Sequence, residues 1–164
     1  MAAEARPLGR APFSATGRSF SVPRATVDSS GLMPIVWQIR DGLVWLTTTD
    51  PWTMEDWRGA ATAFLAHPDF RPGMGTINDR RQGRAPSTRE VKAMLDFVQV
   101  QRSAVGTARW TAVTTDNTSY GMVRMAQVLF EESSVRLGVF HSLEDAEAWV
   151  REGQDAIGKR HSRG

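Results

Sequence analysis

The order in which β-rich runs and amphipathic helical runs follow one another constrains this chain more than any other feature. Ile35–Arg40 and Leu43–Thr49 are apolar, β-branched runs separated only by Asp41-Gly42, the strongest short hairpin signal a sequence carries. From there helical and extended segments alternate. A helix is predicted over Met54–Ala66, because Met54, Trp57, Ala61, Phe64 and Leu65 fall on one face. His67-Pro68 stops it. A strand over Met74–Asp79 follows, then a helix from Thr88 to about Val105 with Val91, Met94, Leu95 and Val98 inward. A buried strand over Arg109–Thr115 leads to a helix over Ser119–Glu131. The last strand, Val135–Phe140, leads to a helix from Leu143 to about Glu152. Thr53-Met-Glu-Asp56, Ser87-Thr-Arg-Glu90 and Ser142-Leu-Glu-Asp145 each place a hydroxyl at the N-cap and an acid three residues on, the capping-box pattern at three independently predicted helix starts. The order β-β-α-β-α-β-α-β-α implies an α/β domain with a five-stranded, mostly parallel sheet and right-handed crossovers. The opening hairpin makes its first strand an antiparallel edge.

The chain falls into three stretches. Residues 1–33 are rich in Ala, Arg, Ser, Pro and Gly without hydrophobic period, and read as a disordered tail. Met33 opens directly onto the first strand, so an over-long start is one expectation for that stretch. Residues 34–153 form the domain, and 154–164 read as a basic C-terminal tail. The formal charge of +2 belongs to the ends, because the stretch 34–153 carries thirteen basic and fifteen acidic side chains. A nucleic-acid binder needs a basic face on its folded part, so that class is not expected. With no cysteine, the chain has no disulfide, thiolate metal site or Cys nucleophile. Histidines at 67, 141 and 161 are too scattered for a His-only zinc site. No apolar run reaches the roughly 20 residues of a membrane span, and no secretory core is present. The expectation is a cytoplasmic protein. No Gly-rich turn follows a strand, so neither a dinucleotide fingerprint nor a P-loop is present. Gly-x-Ser-x-Gly is also missing. Asp116, Ser119 and His141 therefore lack the context of a triad, and neither catalytic residue, cofactor nor metal is expected.

Four stretches carry a family likeness: Leu65-Ala-His-Pro-Asp-Phe70, Thr76-Ile-Asn-Asp79, Tyr120-Gly-Met-Val-Arg-Met125, and Val139-Phe140 followed by Glu144-Asp-Ala-Glu-Ala-Trp149. In this order, Ile35 to Val150 resembles the SpoIIAA-like proteins of the STAS and SEC14 superfamily. The resemblance implies a right-handed β-α superhelix and a bacterial, non-enzymatic regulatory domain that binds a protein partner. Some relatives are switched by phosphorylation of a Ser in an Asp-Ser-x-Gly motif. The nearest position here is Ser87, which is preceded by Pro86 rather than Asp and lacks the glycine. SEC14-type relatives hold a lipid instead, which makes a small-molecule carrier the alternative.

In a parallel sheet, ligands bind beyond the carboxyl ends of the strands. The loops expected there offer Asp50 and Trp52; Asp79, Arg80, Arg81 and Arg84; and Asp116, with Tyr120 and Arg124 on the helix that follows. Helix N-termini at that edge favour anions, and the arginines add charge, so an anionic ligand is the class these residues fit. Each also has a structural employment. Asp79 suits a turn, Ser87 an N-cap, the arginines a solvated loop, and Tyr120 with Arg124 a pair four residues apart on one helix face. Trp52, beside Pro51, is the expected exposed aromatic contact. The helix over Ser119–Glu131 is apolar nearly all round, so either it is deeply buried or one flank faces a partner, a homodimer included.

Overall fold

The computed structural model describes residues 33–161. The expectations for the N-terminal tail before Met33 and for the last three residues lie outside them. β1 (Ile35–Arg40) and β2 (Leu43–Thr49) pair antiparallel. Asp41 at φ 51° and Gly42 at φ 73° make the turn, and two positive φ values are what a two-residue type I′ hairpin demands. Then come α1 (Met54–Leu65), β3 (Gly75–Gln82), α2 (Thr88–Val100), the one-turn α3 (Arg102–Val105), β4 (Ala108–Val113), α4 (Asn117–Phe130), β5 (Val135–Phe140) and α5 (Leu143–His161). The five strands lie in the order β1-β2-β3-β4-β5, with β2 to β5 parallel. The expected α/β architecture, with its antiparallel edge strand, is the one observed.

Sequential strand order decides where the helices go. Each crossover steps the chain one strand further in the same direction, so crossovers of one hand fall on one face of the sheet. Accordingly α1, α2 and α4 share a core with Val44, Leu46 and Trp110. Among the described residues only α5 covers the opposite face, where Ala146 and Val150 pack on Leu43, Ile77 and Val113. Thr53 and Ser87 cap α1 and α2 in reciprocal capping boxes. The Ser142 hydroxyl accepts from Asp145 N at the start of α5.

Three boundaries differ from the sequence reading. The helix expected to run to about Val105 breaks at Gln101, whose φ −92° and ψ 13° separate α2 from α3. α5 continues to His161 rather than ending near Glu152. The helix is tied to the first hairpin on both sides of that expected end, since Arg151 and Gln154 donate to the carbonyls of Asp41 and Gly42. β3 ends at Gln82 rather than Asp79, and that difference moves the candidate site.

Candidate functional site

β3 is the middle strand, buried on both faces, and such strands normally read as continuous apolar runs. This one reads Gly75-Thr-Ile-Asn-Asp-Arg-Arg-Gln82. Side chains alternate across a strand, so Thr76, Asn78 and Arg80 face α1, α2 and α4, while Ile77 joins the α5 core. β2 supplies the reason the strand runs on: after an irregularity between Thr47 and Thr49, Thr49 still pairs with Gln82. Arg80 is therefore a strand residue, only 5% exposed, and not part of a surface loop.

The three polar side chains line a cavity of about 80 Å³ between the sheet and the helices. Phe64, Val123 and Phe130 close its apolar side and Trp110 its floor. Part of the polar stripe is internally satisfied. The Thr48 hydroxyl donates to Asn78 Oδ1 at 2.9 Å, and the Thr111 hydroxyl to the Thr76 carbonyl at 3.2 Å. Two buried side-chain atoms of lining residues have no partner: Thr76 Oγ1 and Trp110 Nε1. These residues are register partners across the β3–β4 ladder, so their side chains leave the same face about 4.8 Å apart. Most buried polar side-chain atoms have a partner, which makes two neighbouring orphans on one cavity informative.

Arg80 gives the same wall its charge. Its Nη2 donates to the Arg84 carbonyl at 2.9 Å, and its guanidinium lies 4.7 Å from the Trp52 ring centre. No carboxylate pairs with it among the described residues. Burial, and then the charge of Arg84, pull its pKa down to about 10, against the opposing pull of Glu90 and Asp50. It is still a cation at neutral pH.

The other candidate residues do not form one site. Trp52 is not the expected exposed contact: it is 2% exposed. It sits beneath two guanidiniums, with Arg84 4.3 Å from its ring centre. Its Nε1 donates to the Arg84 carbonyl at 3.2 Å, and Arg84 returns a bond to the Trp52 carbonyl. The loop reading hid this because Pro51 and Trp52 fold back under the strap between β3 and α2. Asp50 stays exposed. Arg81 grips Asp79 through two bonds, of 2.9 and 2.6 Å, which hold that carboxyl below its ordinary value although burial opposes them. Arg84 grips Glu90 in the same way at 2.8 and 2.7 Å. These two arginines carry their own counter-charges. Ser87 serves as the N-cap of α2, its hydroxyl accepting from Glu90 N. Asp116 caps α4 by accepting from Ser119 N at 2.7 Å. That bond, followed by others to the same helix start, lowers its pKa. Tyr120 stacks on His141 at 4.4 Å and 12° rather than on Arg124. Arg124 is exposed on a groove beside β5.

The Arg84–Glu90 pair carries a pH prediction. The Arg84 hydrogen bond, with help from Ser87 and against burial, holds the Glu90 carboxyl at about 2. A depressed carboxyl stabilises the fold above its ordinary value of 4.5, and that contribution fades as pH falls toward 2. Wild type is therefore expected to lose stability across this window more steeply than Glu90→Gln, measured by urea midpoints at pH 7, 4 and 2.5. Parallel slopes refute the assignment.

Thr76, Asn78 and Trp110 were not picked out by their chemistry in the sequence. The signal was available in the period-two spacing of Thr76, Asn78 and Arg80 on a central strand, where apolar residues are expected. No family model and no curated protein matches this chain. Among solved structures it is similar to an uncharacterized protein from the DUF3478 family with a SpoIIAA-like fold, from Shewanella loihica PV-4. The two are 12% identical, the match covers 71% of this chain and 91% of the other, and the TM-score is 0.49. The likeness is one of fold. No helix among the described residues is long and apolar enough to cross a membrane.

Proposed function

We propose that this chain is a non-enzymatic binding domain that holds a small molecule in the cavity between the sheet and α1, α2 and α4. The observation that carries the reading is the pair of unpartnered buried atoms, Thr76 Oγ1 and Trp110 Nε1, of two residues that line a space of about 80 Å³. A buried donor without an acceptor costs about 1–3 kcal/mol, and an occupant with an acceptor removes that cost. The proposal moves the carrier reading from the carboxyl edge to the inner face of the sheet. It assigns no chemical step, because the polar groups of the candidate triad are committed elsewhere. Asp116 binds Ser119 N, and His141 Nδ1 lies 3.0 Å from the Thr114 carbonyl.

Trp110 makes the proposal testable. Indole N–H protons resonate apart from other amides, and Trp110→Phe identifies its signal among the six tryptophans. In a panel of small alcohols, amides and carboxylates, at least one member is expected to move the Trp110 signal saturably while leaving that of Trp45 in place. Ordered water is the competing occupant. A panel in which no compound moves the Trp110 signal refutes the reading.

A second reading, a contact with a protein partner or a second copy, is favoured by the outer flank of α4. Met125 and Val128 are exposed there, Val128 to 64%. Isolated apolar residues are common on protein surfaces, so two of them weigh less than two buried orphans.

A further inference from the structure

We propose that the ligand of this cavity is a short-chain carboxylate, with its carboxylate on Trp110 Nε1–H and Thr76 Oγ1–H in the field of the Arg80 guanidinium. The inference rests on the binding reading above and names the ligand class. Three observations lead to it. First, the wall's unmet capacity is for an acceptor. An indole N–H can only donate, and a hydroxyl donates readily. Second, the one charged side chain on the lining is a cation. Arg80 lines the cavity together with Thr76 and Trp110, and no Asp or Glu lines it. Of the nearby carboxylates, Glu90 is held by Arg84 and Asp79 by Arg81 on the opposite face of β3, while Asp50 acts on Arg80 through its field without forming an ion pair. A guanidinium buried without a carboxylate is a state that an anion relieves, because a buried charge is tolerated when it is paired. Third, the remaining walls are apolar and the space is small. Phe64, Val123, Ala126 and Phe130 face the polar stripe. A cavity of ~150 Å³ admits the six carbons of benzene, so about 80 Å³ admits roughly three or four non-hydrogen atoms. Acetate has that size, with a charged head for the stripe and a methyl group for the apolar wall.

The shape of the stripe assigns the roles. Thr76 and Trp110 are side by side in register, so one carboxylate can accept from both. Arg80 lies two pleats further along the same face of β3, about 13 Å from Thr76 at the Cα positions by strand rise, with its guanidinium over Trp52 and on the Arg84 carbonyl. It therefore acts through its field and by excluding neutral competitors, rather than as the first hydrogen-bond donor.

The test compares acetate with acetamide, which has the same size and no charge. Binding to the full chain at pH 7 is followed by the Trp110 indole N–H signal. Acetate is expected to bind at least about tenfold more tightly than acetamide, because only acetate carries the charge that the field of Arg80 favours. Arg80→Met, which keeps length and removes charge, is expected to bring that ratio close to one. Trp110→Phe, followed by calorimetry, is expected to weaken both compounds about equally. Equal wild-type affinities, or a preference for the amide, overturn the carboxylate assignment while leaving the binding reading intact. If neither compound binds and the whole panel is also silent, both fall. Should Arg80→Met fail to fold, as judged by circular dichroism, the wild-type ratio decides the question alone.

Discussion

Gly106→Ala is expected to lower the unfolding free energy by about 3–5 kcal/mol, the combined scale of a strained backbone and an overpacked contact. Gly106 closes α3 at φ 69° and ψ −165°, a region that essentially only glycine occupies. A Cβ there would lie 2.7 Å from Gly73 N and 3.0 Å from the Pro72 side chain. Backbone cannot step aside as a flexible side chain can. Gly73 is itself held, donating its N–H to the Val105 carbonyl at 2.8 Å. The two loops thus clasp each other just before β3 and β4 begin, and their spacing sets the register that puts Thr76 beside Trp110. Urea denaturation followed by circular dichroism measures the loss. Gly59→Ala is the control: it lies in α1 with nothing within 4 Å of an added Cβ, and is expected to gain about 0.5–1 kcal/mol. A Gly106→Ala loss below about 1 kcal/mol refutes the clasp.

The fold was legible because its determinants are local and repeated. Asp41-Gly42 announces its turn by chemistry, and Thr53 and Ser87 announce their helices by the acid three residues on. Strand order then follows from connection rules that do not depend on side-chain detail. The site was legible only in part, because it depends on where one strand stops. Residues 79 to 84 read Asp-Arg-Arg-Gln-Gly-Arg, a sequence any local rule assigns to a loop. β2 overrides it by pairing Thr49 with Gln82, a contact more than thirty residues away in the chain. Once Arg80 is in the strand, period two turns it inward and leaves Asp79 and Arg81 on the other face. The separate pairing of Arg81 with Asp79 and of Arg84 with Glu90 was equally invisible, since charge alone does not say which acid each arginine meets. Composition counted four arginines around one edge. Three-dimensional pairing leaves Arg80, of the three at 80, 81 and 84, as the one without an ion-pair partner among the described residues.

Trp52→Ala is expected to cost about 3–5 kcal/mol, the range for truncating a buried large aromatic side chain. An exposed contact residue, as the sequence suggested Trp52 to be, loses almost nothing when truncated, so the size of the loss separates the two readings. The ring is buried beneath Arg80 and Arg84, and each cation stacked on it adds about 0.5–2 kcal/mol. Trp52→Phe divides the cost. It keeps an aromatic face under both guanidiniums and drops the Nε1 bond to the Arg84 carbonyl, so a loss of only about 1–2 kcal/mol is expected. The functional consequence follows from Arg80. With the ring gone, its guanidinium keeps the bond to the Arg84 carbonyl but loses the surface that fixes its tilt, and the cavity's cation is no longer held in place. Under conditions where Trp52→Ala is still folded, its preference for acetate over acetamide is therefore expected to shrink, while Trp52→Phe retains it. Paired urea midpoints and affinity ratios for the two variants check both halves. A Trp52→Ala protein that keeps full stability would return the residue to the surface. One that loses stability but keeps the full preference would separate the ring from the cation it carries.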